Sequence, residues 1–338
     1  MFYPKHKIMK VTNIMGMDVS KNTLDCHLFV QQKSLAPVSN DLKGFKVLKK
    51  WIVKELNGKT EGLLVVMEYT GIYTYGIERF FEHQQIKYVK RPALDIKRSL
   101  GMVRGKSDKT DARFISKYGW MRKEELKPMT PLNDAQVELQ QLMSHRDKLV
   151  ADKSSYQCKL KELRSQMGNK VNEVMAVSME YIMDVLTQEI KEAEKEIKDL
   201  LRSDESLQNN YELMNSITGI GFATAVHLLI VTENFSRFKE VRKLICYCGV
   251  APFEHSSGTS IRGKMRVSQL ANKKLKSLLT MAAISAIQHD PELKDKYEKK
   301  VKEGKAKMCA LNIIRAKLLE RIFAVIKRQS PYIPREAA

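Results

Sequence analysis

From Pro131 to Asp204 the chain contains almost no proline or glycine. This is the feature that most restricts its fold, because a stretch of that length without breakers is either helical or unfolded. Leu139, Leu142, Leu149, Leu160, Leu163 and Met167 recur at spacings that fit a helix. After a break at Gly168-Asn169, the residues Val174, Tyr181, Val185, Ile197 and Leu201 continue the pattern. Two helices of ~33 residues would each span ~50 Å at the α-helical rise. The reading is an antiparallel helical pair, a coiled-coil arm, with a compact bundle as the alternative. The stretch divides the 338 residues into three expected domains: 1–130, 131–205 and 206–338.

The charge follows the same division. The chain has 59 Lys+Arg against 39 Asp+Glu, a formal net charge of +20. Residues 1–130 hold 25 basic and 13 acidic residues (+12), 131–205 hold 11 and 15 (−4), and 206–338 hold 23 and 11 (+12). Two basic ends around a mildly acidic spacer point to a polyanionic partner, DNA or RNA, met by two modules. At 43% hydrophobic and 29% charged, wholesale disorder is excluded. No apolar run approaches the ~20 residues of a membrane span, and the basic N-terminus lacks the apolar segment of a secretory signal. Cys26, Cys158, Cys246, Cys248 and Cys309 are scattered without a CxxC pair. That spacing opposes a disulfide framework and a structural zinc site, and fits a cytoplasmic protein.

In the first module, Ile14–Met17 and Leu24–Val30 flank Ser20-Lys21-Asn22, a turn by composition, which predicts a β-hairpin. Residues 41–56 read as a helix capped by Asn40 or Asp41, and Leu63–Met67 as a strand buried on both faces. A helix to about His83, a strand from Ile86 to Lys90 and a helix over 106–120 follow. Strands alternating with helices give an α/β domain on a mixed sheet. The last module reads as α-helical, with a loop from Gly249 to Gly263 and helices over 268–288 and 305–328.

Four carboxylates stand out. Asp18 and Glu68 end strands; Asp108 and Asp111 are three apart at a helix start and so share a face. Acids gathered in one place repel unless a divalent cation lies between them, and hard oxygen donors suit Mg²⁺ or Mn²⁺ and not Zn²⁺. Such an ion stabilises charge on a phosphodiester. The plainer reading is that Asp18 caps a turn and that Asp108 and Asp111 favour a helix N-terminus. Glu68 closes a five-residue apolar run, where charge is costly.

Three blocks carry a resemblance: Gly16-Met17-Asp18-Val19-Ser20-Lys21, Met67-Glu68-Tyr69-Thr70-Gly71 and Lys106-Ser107-Asp108-Lys109-Thr110-Asp111-Ala112. In order and spacing they resemble the DEDD transposases of bacterial insertion sequences (family one-ten), related to the Piv DNA invertases, and the similarity runs nearly end to end. The resemblance implies an RNase H-like (RuvC-like) N-terminal domain in which Asp18, Glu68, Asp108 and Asp111 bind the metal.

The C-terminal module carries Gly249-Val250-Ala251-Pro252, then Ser256-Ser257-Gly258-Thr259-Ser260 and Arg262-Gly263, and has six Lys/Arg and no acid from His255 to His289. On the residues alone, a serine here is a phosphate contact, since serine is a weak nucleophile until activated. The resemblance implies instead that Ser257 is the DNA nucleophile, with Ser256 its main competitor and Ser260 third. It further implies a phosphoserine linkage, religation to a new end, a metal lying across the same phosphate, and direction by a structured noncoding RNA from the element. Arg262, Lys264 and Arg266 are candidates for holding phosphates. So are Arg104, Lys106, Lys109 and Arg113, within a stretch, 87–123, of twelve Lys/Arg and three acids with Tyr88 and Trp120 interspersed. Thr218-Gly219-Ile220-Gly221 resembles a helix-hairpin-helix turn, whose Gly219 and Gly221 let backbone N–H groups approach a phosphate; ordinary helix capping is the alternative. His27, His145, His227 and the Cys246/Cys248 pair are expected to do no chemistry.

The expectation is a transposase that cuts and exchanges DNA strands as a dimer or tetramer, with the central helices as interface. A metal-only nuclease or junction resolvase, with Ser257 merely positioning DNA, is one alternative. A non-catalytic nucleic-acid-binding protein is the other.

Overall fold

The structure, a computed structural model, describes residues 10–99, 108–129, 133–257, 261–268 and 270–334; of 108, 109, 169, 254–257 and 261–264 it describes the backbone only. It divides into two compact units, Met1–Pro131 and Leu132–Ala338.

The first unit opens with a meander of β1 (Asn13–Val19), β2 (Thr23–Leu28) and β3 (Lys33–Ser39). Helix α1 (Leu42–Glu55) follows, then β4 (Leu63–Glu68), a 3-10 turn (Gly71–Thr74) running into α2 (Tyr75–His83), β5 (Lys87–Arg91), α3 (Ala93–Ser99) and α4 (Asp108–Met121). The sheet order is β3-β2-β1-β4-β5, antiparallel through the meander and parallel from β1 to β5. Asp41 is the α1 cap, its carboxylate accepting from the amides of Lys43 and Gly44. The sequence reading did not include β3 or α3. Residues 33–39 (KSLAPVS) have no fully buried position and contain Pro37, which an edge strand tolerates because one side of its backbone needs no partner.

Alternation along the strands builds two cores. Met15, Met17, Leu63, Val65 and Met67 pack with Phe45, Leu48 and Ile52 of α1 and Ile77 and Phe81 of α2. Ile14, Leu64, Val66 and Val89 pack on the other face with Ile96 of α3 and Ile115 and Tyr118 of α4. Gly16 sets how closely α4 can lie: a Cβ there would overlap the Ser116 amide nitrogen and the Ala112 carbonyl oxygen. Both are backbone atoms that cannot turn aside. Gly16→Ala is therefore expected to destabilise the fold by at least the ~1–3 kcal/mol of an overpacked core, read as a lower urea midpoint at unchanged slope.

The second unit is mostly helical. Helices α5 (Asp134–Met167) and α6 (Glu173–Ser203) are the predicted pair, broken at Gly168–Lys170. Asn133 starts α5 in a capping box with Gln136, and Asn172 caps α6. Then come α7 (Glu205–Asn215), α8 (Phe222–Thr232), α9 (Val241–Tyr247), an antiparallel pair β6 (Pro252–Ser257) and β7 (Ile261–Val267), α10 (Lys273–His289), α11 (Pro291–Lys302) and α12 (Lys307–Arg328). The base of the long pair (Leu139, Met143, Ile197, Leu201) shares one core with α7–α12. Asp147 of α5 ties it further, its Oδ2 lying 2.9 Å from both His227 Nε2 of α8 and Lys274 Nζ of α10.

One expectation for this unit is corrected, and one helix is added to it. The loop expected from Gly249 to Gly263 contains the β6–β7 hairpin, because Ile261, Met265 and Val267 alternate with polar residues at the strand period of two. The charged stretch after Asp290 is helix α11: Asp290 caps it through the Leu293 amide and Pro291 holds its first turn. The same Asp290 carboxylate takes Arg321 Nη1 of α12 at 2.5 Å, and Arg321 Nη2 reaches Glu292 at 2.8 Å. Arg321 and Asp290 are both buried. Arg321→Met strands that acid and is expected to cost ~3–5 kcal/mol, visible as a drop in melting temperature at neutral pH.

Candidate active site

The parallel row Met17–Met67 is the last of the β1–β4 ladder. The next residue on each strand is Asp18, one before the end of β1, and Glu68, the last of β4, on neighbouring strands spaced about 4.8 Å apart. Both stand on the α4 face, since Met17 and Met67 on either ladder position before them point into the α1–α2 core. Helix α4 lies against this face at Gly16, and Asp111 precedes Ala112, the residue whose carbonyl touches that glycine. Asp18, Glu68 and Asp111 are each half-buried. Asp108 begins α4, one turn from Asp111; its side chain lies outside the described residues. Among the described residues no three His, Cys, Asp or Glu side chains form a ready metal-holding group.

One acid near this edge escaped the sequence reading. Asp25 is the cross-strand partner of Asp18 and is 8% exposed. Nothing local marks it, since Leu24–Leu28 also carries His27; the β1–β2 register sets it opposite Asp18. Burial first, then the charges of Asp25 and Asp18, pushes the Cys26 thiol far up, so it stays protonated. His27 is turned to Ser34, with Nδ1 2.9 Å from its hydroxyl. Burial and the nearby Arg113 hold the His27 ring below its ordinary pKa and keep it neutral. All the acids at this edge are oxygen donors, and neither the protonated thiol nor the engaged imidazole competes.

Of the basic candidates around it, Arg113 is exposed on α4, the side chain of Lys109 is not described, and Arg104 and Lys106 lie outside the described residues. Glu68 has Arg91 as its register partner on β5.

In the second unit Ser257 ends β6, paired in register with Ile261, while Ser256 pairs with Arg262. Ser260 lies outside the described residues, as do the side chains of Ser256, Ser257, Arg262 and Lys264; Arg266 is exposed on β7. Both feet of this hairpin are fixed to helices. Asn312 Nδ2 of α12 donates to the Val250 carbonyl at 2.5 Å, and the Asn272 amide donates to the Tyr247 carbonyl at 2.9 Å. Cys248 is buried beneath it and Cys246 half-buried. The turn before α8 has Gly219 at φ +92°, and a Cβ there would meet the Ala282 carbonyl of α10. Packing on α10 thus already requires glycine at 219. Gly221 is exposed at the start of α8 with open space around it.

An α/β unit with acids at the C-terminal edge of its sheet, followed by a basic helical unit, is the organisation of an enzyme that works on nucleic acid. Two family models match. One for DEDD transposases of the IS110 group, described as "Transposase", covers residues 15–167, and one described as "Transposase IS116/IS110/IS902 family" covers residues 211–298. The pilin gene-inverting proteins of Moraxella bovis and Moraxella lacunata are each 27% identical over 327 residues, 94% of this chain and 97% of theirs. A transposase for insertion sequence element IS1111A from Coxiella burnetii is 28% identical over 149 residues, 42% of this chain and 39% of its own. The chain belongs to the IS110/IS116/IS902 family of transposases, and it is a DNA recombination enzyme. Its DEDD domain implies a divalent metal. No helix among the described residues is long and apolar enough to cross a membrane.

Proposed function

We propose that the chain excises, inserts or inverts a DNA element by Mg²⁺-dependent strand cleavage and exchange through Ser257, directed by a noncoding RNA that the element encodes. The carrying observation is that Asp18 and Glu68 follow the last row of two adjacent parallel strands, on the face against which α4 brings Asp111. The sheet order supports an RNase H-like (RuvC-like) reading of residues 1–130. Residues 131–205 are then the spacer and 206–338 the serine-bearing domain.

Asp18, Glu68, Asp108 and Asp111 would hold the cation, Mg²⁺ or Mn²⁺, which when bound offsets charge on the phosphodiester. The protein's own chemistry is a pair of transesterifications. The Ser257 hydroxyl loses its proton as its oxygen bonds phosphorus, and the departing deoxyribose oxygen takes up a proton. A hydroxyl of another strand then attacks the phosphoserine and returns the serine. One phosphoester bond forms for each that breaks, so no energy-supplying cofactor is required. Arg262, Lys264 and Arg266 on β7, with Arg104, Lys106, Lys109 and Arg113 around α4, position backbone phosphates, and Gly219 and Gly221 present amides to another.

Exchange joins four ends, which calls for a dimer or tetramer. Val174, Val177, Tyr181 and Val185 form an exposed apolar line along α6 at helical spacing, which supports the central pair as the contact between copies. The protein is placed in the bacterial cytoplasm, on the nucleoid when bound to DNA. Denaturing gels of reactions with end-labelled DNA in Mg²⁺ test the reading: a covalent protein–DNA species is expected. Hydrolysis without such a species would make the chain a metal-dependent nuclease.

A further inference from the structure

The segment after Glu68 presents its rings to solvent. Tyr69, Ile72, Tyr73 and Tyr75 are 44–79% exposed, four large apolar side chains within seven residues. Scattered exposed apolar residues are ordinary; a contiguous set on a stiff backbone is a binding surface. This backbone is stiff. The Tyr69 amide donates to the Arg91 carbonyl at 3.0 Å, and the buried Thr74 hydroxyl donates to the Gly71 carbonyl at 3.0 Å. Asn40 Nδ2 lies 2.9 Å from the Ser20 carbonyl and 3.0 Å from the Tyr73 carbonyl. That bridge fastens the turn beside the end of β1, two residues beyond Asp18. The rings cannot retreat inward, because Phe45, Ile77 and Phe81 already fill the core below.

We propose that Tyr69, Tyr73 and Tyr75 form a stacking platform for unpaired bases of the DNA next to the cleaved phosphate. Exchanging strands requires base pairs to open and re-form at the cut, so unpaired bases arise where these rings stand. Tyrosine suits them, as every base has a π-face and a tyrosine ring tolerates a wet edge. Two cations help fix the ring positions: Lys90 Nζ and the Arg79 guanidinium each sit 5.4 Å from the centres of the Tyr69 and Tyr75 rings, respectively, and are themselves held by Glu78 at 2.7 Å and Glu82 at 3.1 Å. Thr70 Oγ1, on the next residue, and Arg91 Nε, on the residue whose carbonyl takes the Tyr69 amide, have no hydrogen-bond partner among the described residues. The aromatics of the 87–123 stretch are engaged elsewhere. Tyr88 is buried with its hydroxyl donating to Glu82 at 2.8 Å, and Trp120 stacks on Phe29 at 5.3 Å beneath Lys123.

The inference rests on DNA cleavage at the Asp18–Glu68 edge, and its test is run in EDTA so that it does not depend on cleavage. The probe is a DNA duplex interrupted by a short unpaired bubble carrying 2-aminopurine, with the fully paired duplex as reference. Wild-type protein is expected to quench the bubble probe and to prefer bubble over duplex. Tyr69→Ala and Tyr73→Ala should each cut that preference roughly tenfold, the scale of one lost base stack, while Tyr→Phe at the same positions retains it. Equal quenching by wild type and the alanine variants overturns the platform, and so does a loss in the phenylalanine variants as large as in alanine. An absent serine adduct in Mg²⁺ with stacking intact would count against the cleavage chemistry alone.

Discussion

Ser257→Ala is expected to abolish the covalent protein–DNA species and to lower recombination at least about 10³-fold, the scale on which loss of a covalent nucleophile is felt. DNA binding should hardly change, because one hydroxyl contributes little beside the basic excess of residues 206–338. The substitution removes one hydroxyl from a hairpin whose feet are held by Asn312 and Asn272, so the fold is expected to keep its stability. Ser256→Ala is the matched control. It changes the next residue of β6, the one paired in register with Arg262, and should keep the adduct. An adduct that survives Ser257→Ala but not Ser256→Ala moves the nucleophile by one residue. Adducts in both variants would place it elsewhere, with Ser260 the next residue to change.

How far the sequence reaches depends on the kind of signal. The pair α5–α6 was readable because breakers are absent over a long stretch, and periodicity is strongest where helices are long. Strand β4 was readable because five consecutive apolar residues have no other economical place than a sheet covered on both sides. β3 and α11 were not, since an exposed edge strand and a helix of mean polar character carry no apolar pattern; α11 is held by the Asp290 cap and Arg321 instead. The hairpin β6–β7 was read as a loop because its glycine and serines mask a short alternation. At the site, Asp18 and Glu68 showed themselves as acids at the ends of apolar runs. Asp25 stayed hidden, because its importance comes from register: only the β1–β2 pairing sets it opposite Asp18. The reason for Gly16 is likewise tertiary, since nothing local announces that α4 will rest on it.

Asp18→Asn is expected to remove cleavage in Mg²⁺ while leaving salt-sensitive DNA binding intact. The change keeps the size of the side chain at the end of β1 and deletes only its charge, so the Met15 and Met17 core beside it is undisturbed. Without metal, the melting temperature should stay within a few degrees of wild type. With Mg²⁺ the two should diverge. A cation held by the native fold and not by the unfolded chain raises the midpoint by mass action, and the asparagine protein, lacking one of the carboxylates, should show less of that rise. Binding is governed by cations elsewhere on the chain, so the dependence of affinity on salt keeps its slope, and low-salt affinity holds or tightens once a negative charge near the phosphate is gone. These readouts separate two ways of losing activity. A misfolded variant would melt early in EDTA and bind poorly, whereas a variant that has lost only a metal ligand is stable, binds, and does not cut. If the proposed cation site includes them, Asp108→Ala and Asp111→Asn on α4 should behave alike. Undiminished recombination by Asp18→Asn in Mg²⁺ would refute the carboxylate site, whatever the outcome at Ser257.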